Sequence, residues 1–200
     1  MSKTIFFNIL IRTSNRPEYF KDCVESIRNQ TYQNFRIIVS ADNNLSKKYV
    51  EELDLKPVYV NSILKRNIKN HAPYNLYINE LYKHTDDNSY IIVLDDDDKF
   101  MKLNSLELLS NKIRLYYQPE KNLYVFKSLF SKNLIIPRSF TKKKIIYPGN
   151  ITSCCFCFHS NLIYAALWDE FKESDFRVVN KLSKVSIKTI FINNILTGLQ

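Results

Sequence analysis

Tyr90-Ile91-Ile92-Val93-Leu94-Asp95-Asp96-Asp97-Asp98 is an unbroken apolar run that ends in four carboxylates. The apolar part does not alternate with polar residues, which marks a strand buried on both faces, as in a parallel sheet. Four adjacent carboxylates repel one another and lose solvation as they approach a protein surface. A divalent cation relieves both penalties, because Mg²⁺ and Mn²⁺ prefer oxygen ligands. Alternate residues of an extended chain share a face, so Asp95 and Asp97 can point together. Magnesium is commonly held by one or two carboxylates plus substrate phosphates, so one such run is enough if the substrate brings a diphosphate. An acidic turn or helix cap is the competing reading. Position at the end of a buried strand counts against it.

Working outward, the same grammar repeats upstream. Ile5 to Ile11 is another apolar strand, followed by the polar loop Thr13-Ser14-Asn15-Arg16 and by Pro17, a helix-starting residue. Phe20, Cys23, Val24 and Ile27 recur at helical spacing up to about Gln30. Phe35 to Ser40 reads as a strand, Lys47 to Leu53 as a short helix, Val58 to Val60 as a strand and Pro73 to His84 as a helix. Strand and helix alternate, so an α/β fold with a mixed, mostly parallel sheet is expected. Ligands of such sheets bind beyond the carboxyl ends of the strands, where Thr13 to Arg16, Asp42 to Asn44 and Asp95 to Asp98 all fall. Downstream, a helix is expected at Leu103 to Tyr117 and another at Asp175 to Leu182. Strands are expected at Leu123 to Phe130, Ile145 to Tyr147, Ser153 to His159 and Val185 to Ile192. No boundary divides the 200 residues, which suit a single domain.

Composition narrows the function. Only 2 glycines leave no Gly-rich phosphate loop. A net charge of +9 favours anionic partners, and Lys142-Lys143-Lys144 is the densest basic tract, read as a solvated loop or strand edge. No apolar stretch approaches the ~18 residues of a membrane helix, and nothing at the N-terminus has the pattern of a signal peptide. Cys23, Cys154, Cys155 and Cys157 then read as free thiols in a reducing, cytoplasmic setting. Cys155, Cys157 and His159 alternate along one expected strand, but their spacing is too wide for zinc and they read as core. His159 is kept as a candidate for the acceptor cleft. Trp168 reads equally as buried core or as a platform for a sugar.

The chain resembles family 2 glycosyltransferases of the GT-A fold. The resemblance is carried by Ile11-Arg12-Thr13-Ser14-Asn15-Arg16-Pro17, by Ser26-Ile27-Arg28-Asn29-Gln30-Thr31-Tyr32, by Phe35 through Asp42 and by the Asp-x-Asp-Asp signature in Asp95 to Asp98. Tyr74-Asn75 matches the family's Arg-Asn with Tyr in place of Arg. These motifs cover the first half, residues 1–100, which becomes the nucleotide-sugar half; residues 101–200 become the acceptor half. The resemblance implies that Thr13, Asn15, Arg16, Asp42, Asn75, Asp95 and Asp96 surround the sugar nucleotide. Asp42 would meet the base, most often uracil, Asp95 the ribose or the metal shell, and Asp97 the metal, Mn²⁺ or Mg²⁺. The family's base sits in an acidic pair before a helix. Here that pair is Ser174-Asp175, so Asp175 is the expected base, with Glu173 and Asp169 as alternatives.

The implied reaction is inverting transfer of a sugar from a nucleotide sugar, a UDP-sugar by resemblance, to a hydroxyl of a glycan, a lipid-linked molecule or a protein. No nucleic-acid partner is expected. There is no transmembrane segment, and peripheral contact with a membrane is left open. Two other readings stand beside it: a catalytically silent nucleotide-sugar binding module, and a nucleotidyltransferase, which would also use aspartates and a cation.

Overall fold

A computed structural model describes residues 4–138 and 146–200. In chain order the first half gives β1 (Phe7–Thr13), α1 (Pro17–Arg28), β2 (Phe35–Ala41), α2 (Asn44–Glu52), β3 (Pro57–Tyr59), α3 (Tyr77–Tyr82) and β4 (Tyr90–Asp95). The second half gives β5 (Asp98–Phe100), α4 (Ser105–Arg114), β6 (Asn122–Ser131), β7 (Leu134–Ile136), β8 (Phe156–His159), α5 (Ser174–Val185) and β9 (Lys188–Leu199). The strands form a mixed sheet in the order β3-β2-β1-β4-β8-β6-β9-β5, with β7 beside β6. The strands β3, β2, β1 and β4 are parallel. β8 runs antiparallel between β4 and β6, and β9 lies parallel to β6.

The unbroken apolar runs are explained by cover on both faces. Ile9, Ile11, Ile92 and Leu94 pack with Phe20, Val24 and Ile27 of α1 and Leu106, Leu109 and Ile113 of α4. The alternate residues Leu10, Ile91 and Val93 pack with Ile78 and Leu81 of α3 and Val178, Val179 and Leu182 of α5. Gln30 fastens the end of α1 to the second half. Its Nε2 donates to the Ser26 and Lys102 carbonyls at 3.0 and 2.8 Å, and its Oε1 accepts from the Leu106 amide at 3.0 Å.

Several boundaries differ from the sequence reading, each for a local reason. The expected helix at 73–84 splits into a 3-10 turn, Pro73–Leu76, and then α3. The expected strand at 153–159 begins only at Phe156. Ser153–Cys155 form a 3-10 turn, closed by the Cys155 thiol donating to the Thr152 carbonyl at 3.1 Å. α5 runs on to Val185, so the last strand starts at Lys188 and continues to Leu199. Asp98 opens a short strand because Leu199 pairs with it. Ile146 and Tyr147 lie in a bend instead of a strand, while Ile145 and the Lys142-Lys143-Lys144 tract fall outside the described residues. Among the described residues no helix is long and apolar enough to cross a membrane.

Candidate active site

Parallel register brings the carboxyl ends of β1, β2 and β4 to one rim, with Arg12 opposite Asp95 and Thr13 opposite Ala41. Crevices of this kind are where open α/β sheets hold ligands. At this rim the four aspartates separate in environment. Asp98 turns inward, where its Oδ2 accepts from the Asp95 amide at 2.9 Å. Burial, then the neighbouring Asp95 charge, push its carboxyl well above the ordinary carboxylate range. Asp96 is also buried, accepts from Thr13 Oγ1 at 2.8 Å and is ion-paired with the Arg16 guanidinium. Burial raises its carboxyl in spite of those two partners. Asp97 stays partly open and pairs with Arg16 Nη1 at 2.7 Å.

Asp95 is held from beneath. The Arg12 guanidinium donates to both its oxygens, through Nη2 at 3.0 Å and through Nε, and Ser153 Oγ donates to Oδ2 at 3.2 Å. Burial works to raise the Asp95 carboxyl, but the Arg12 charge and hydrogen bonds outweigh it and hold the group below its ordinary value. Arg12 Nη1 also donates to Asn75 Oδ1 at 2.6 Å, and Asn75 Nδ2 donates to the Phe171 carbonyl at 2.7 Å. The guanidinium lies 5.0 Å from the Tyr74 ring centre and 5.5 Å from that of Trp168, within cation–π range. Tyr74 stands where the resemblance expects Arg, and its ring meets a guanidinium delivered from β1.

Two cavities meet at this pair. The larger, about 550 Å³, is lined by Thr13, Arg16, Asp42, Tyr77, Lys65 and Asp97 among others. The smaller, about 180 Å³, includes Ser153, Trp168, Lys172, Glu173 and Asp175. Arg12, Tyr74 and Asp95 line both. Asp42 sits at the mouth of α2, where its Oδ1 accepts from Asn43 Nδ2 at 2.8 Å and its Oδ2 from the Tyr77 hydroxyl at 3.3 Å.

The three candidates for the base differ in environment. Asp169 is engaged by Arg177, whose Nε and Nη2 donate to its two oxygens at 2.6 and 2.5 Å. Glu173 is exposed and lies in the left-handed backbone region, with φ 63°. Asp175 opens α5 with Oδ1 accepting from the Phe176 amide at 2.7 Å. Burial, with the charges of Asp95 and Glu173 behind it, pushes its carboxyl up to about 6. Ser174, standing where the family carries an acid, closes the preceding loop: its Oγ accepts from the Asp169 amide at 2.9 Å.

Of the residues expected at the sugar nucleotide, Thr13, Arg16, Asp42 and Asp95 line the larger cavity, and so does Asp97, the expected metal ligand. Asn75 lines the smaller one. Asn15 is exposed at φ 56° and accepts from Asn43 Nδ2 at 3.4 Å, while Asp96 lies beneath the rim. His159 is remote from the acceptor side, at the opposite end of β4, where it borders a separate cavity with Thr4, Ile5 and Tyr90. Trp168 is buried, and its Nε1 donates to the Tyr82 hydroxyl at 3.0 Å. The sequence reading gave Arg12 and Ser153 no role. Arg12 left a signal, a cation one residue past an apolar run, whereas Ser153 left none. Thr13→Val strips Asp96 and the Tyr49 hydroxyl, 2.6 Å from Thr13 Oγ1, of a buried partner. A loss of about 1–3 kcal/mol in urea unfolding is expected.

Asp97 suits a cation better than its neighbours do. Its partner Arg16 is a half-exposed side chain that can yield to another positive charge, and Asp95 lines the same cavity. Among the described residues no group of three or more His, Cys, Asp or Glu side chains converges into a metal cage. A cation here would therefore draw its remaining oxygens from substrate and water.

No curated protein matches the sequence. Among solved structures, TarS of S. aureus superposes with a TM-score of 0.75 at 15% identity, over 98% of this chain and 37% of TarS. Its 1–349 fragment in complex with UDP-GlcNAc gives 0.72 at 16%, over 97% and 58%. The mannosyltransferase PcManGT from Pyrobaculum calidifontis, in complex with GDP-Man and Mn²⁺, gives 0.61 at 15%, over 96% and 56%. The chain thus spans between about a third and three-fifths of the length of these neighbours. At such identities the superpositions speak for the fold, a GT-A glycosyltransferase domain. Residues 8–160 match the family described as Glycosyl transferase family 2. With most of its length inside that match, the chain belongs to glycosyl transferase family 2.

Proposed function

We propose that the protein moves a sugar from a UDP-sugar to an acceptor hydroxyl with inversion at the anomeric carbon. The observation that carries this is the shared wall. The cavity with Thr13, Arg16, Asp42 and Asp97 and the cavity with Asp175 meet at Arg12 and Asp95. Donor and acceptor can thus lie on either side of one point. The choice of UDP is supported by the TarS fragments that bind UDP and UDP-GlcNAc; the GDP-Man bound to PcManGT makes GDP-sugars the comparison.

In this reading Thr13, Arg16 and Asp42 bind the nucleotide, with Asp42 facing the base and Asp95 the ribose. Asp96, beneath Thr13 and Arg16, and Asn15 beside Asn43 hold that rim in shape. Asn75 orients Arg12. Asp97, with Asp95, would hold Mn²⁺ or Mg²⁺, which when bound neutralises charge on the leaving diphosphate. Asp175 takes the proton of the acceptor hydroxyl as its oxygen bonds the anomeric carbon and the bond to the diphosphate breaks, releasing UDP. A carboxyl raised to about 6 is still mostly ionised at neutral pH and is a stronger base than an ordinary aspartate. Four buried free cysteines support a reducing compartment, the cytoplasm.

A thermal-shift panel of UDP- and GDP-sugars with and without Mn²⁺ tests the donor, since stabilisation follows affinity. Donor hydrolysis in the stabilised pairs then separates a transferase from a silent binding module. Asp97→Ala should erase the Mn²⁺-dependent part of the UDP-sugar shift while sparing the shift in Mn²⁺-free buffer. A full Mn²⁺ increment in that variant would remove Asp97 from the metal site.

A further inference from the structure

The rim of the two cavities carries a segment of which Ser62, Ile63 and Lys65 line the larger cavity, while its other side chains have no place in the transfer chemistry proposed above. Residues 61–70 are all exposed, and they hold Lys65, Arg66 and Lys69 with no carboxylate among them. Leu64 is 86% exposed, and Ile63 and Ile68 stand out of the fold beside it. The segment is fastened in this position. The Ile63 amide donates to the Tyr77 hydroxyl at 3.3 Å, and the Arg66 amide donates to Nδ1 of buried His71 at 2.9 Å. Nε2 of the same ring lies 3.2 Å from Glu170 Oε2. The Ala72 amide donates to the Glu170 carbonyl at 2.7 Å and the Lys172 amide to the Asn70 carbonyl at 2.8 Å. Exposed Phe171 and Lys172 therefore extend the same surface to the mouth of the smaller cavity.

In residues 61–70 apolar tips are held out in water among cations with no acid; the acids of this rim are Glu170, paired with His71, and Glu173, beyond Lys172. Such a segment matches one environment well. At an anionic bilayer the tips reach the acyl boundary while Lys and Arg stay among the headgroups. A soluble polyanion would use the cations and leave Leu64 in water. We propose that residues 61–70, with Phe171 and Lys172, dock on an anionic lipid bilayer and turn the mouths of both cavities towards the headgroup layer. Docking stands independently of the transfer reaction. That it presents an acceptor hydroxyl carried by a lipid rests on the reading of the smaller cavity given above.

The test is co-sedimentation with phosphatidylcholine vesicles, with and without phosphatidylserine, alongside a UDP-sugar thermal shift on the same samples. The wild type should bind only the phosphatidylserine vesicles. Leu64→Glu should weaken that binding by roughly tenfold or more, and Arg66→Gln with Lys69→Gln by a similar factor, at about 1 kcal/mol for each charge. None of these changes should alter the donor shift or the melting temperature. Equal binding to both vesicle types, or vesicle binding unaffected by Leu64→Glu, overturns the proposal. So does a loss of donor affinity in Leu64→Glu with vesicle binding intact, which would make the segment a cover over the donor. Vesicle binding as expected without any donor shift would instead count against the proposed donor and leave docking standing.

Discussion

Asp175→Asn is expected to lower turnover by roughly 10²–10⁴-fold while the thermal shift given by the UDP-sugar is unchanged. The side chain lies in the smaller cavity, so its loss touches the proton transfer and leaves the donor's own contacts in place. With Asp175 as the proposed base, wild-type turnover should fall tenfold per pH unit below about 6, because a base must give up its proton before it can accept one. The stability effect has the opposite sense. A carboxyl whose folded pKa is raised holds its proton more tightly in the folded state than in the unfolded one. That contribution is present at low pH and is lost as pH rises through about 6. At pH 8 the Asn variant should therefore be no less stable than the wild type. Asp175→Glu should retain a low-pH limb. If the limb survived in Asp175→Asn at undiminished turnover, the base would be Glu173, across the same cavity.

Arg12→Met is expected to cost about 2–3 kcal/mol of stability, below the loss of one partner of a fully buried pair, because the Asp95 side chain keeps 24% of its surface exposed. Arg12 is nearly enclosed; it holds both oxygens of Asp95 and the side-chain oxygen of Asn75. Without it Asp95 is left as a partly buried charge with Ser153 Oγ as its remaining side-chain donor. Arg12→Lys should rescue little, since a single ammonium cannot reproduce the two-pronged contact. Adding Asp95→Asn to Arg12→Met should return part of the loss, because the stranded charge is then gone. A cost under about 1 kcal/mol, the scale of an exposed pair, would show that Arg12 does not organise the site. Activity adds a second readout. Arg12 also lowers the Asp175 carboxyl, so its removal should move the low-pH limb of turnover upward from about 6.

The two halves of the chain were legible to different degrees. Ile9 to Ile11 and Ile91 to Leu94 announced strands covered on both faces, because burial on both sides leaves no room for polar alternation. The second half is harder to read. β8 is four residues long and β5 three, and each exists through its partners on distant segments, His159 opposite Tyr90 and Asp98 opposite Leu199. No periodicity of 3.6 or 2 can emerge from so few residues. Likewise, helix periodicity at 73–84 could not separate the 3-10 turn that carries Asn75 from α3.

The sequence by itself determined that four carboxylates stand at the carboxyl end of a buried strand, because an apolar run and an acidic run that meet leave that one arrangement. That Asp95 and Asp97 share a cavity comes instead from the turn at Asp96 and Asp97 between β4 and β5, where the extended chain expected from the sequence ends. Only the tertiary structure decided how the four differ. Local spacing gives all of them the same charge and chemistry. Arg12 from β1, Ser153 from a turn 58 residues away and the depth of burial at Asp96 and Asp98 set them apart. The same long-range packing placed Asp175 beside Arg12 and raised its carboxyl, since desolvation and through-space charge depend on distance in the fold and not along the chain.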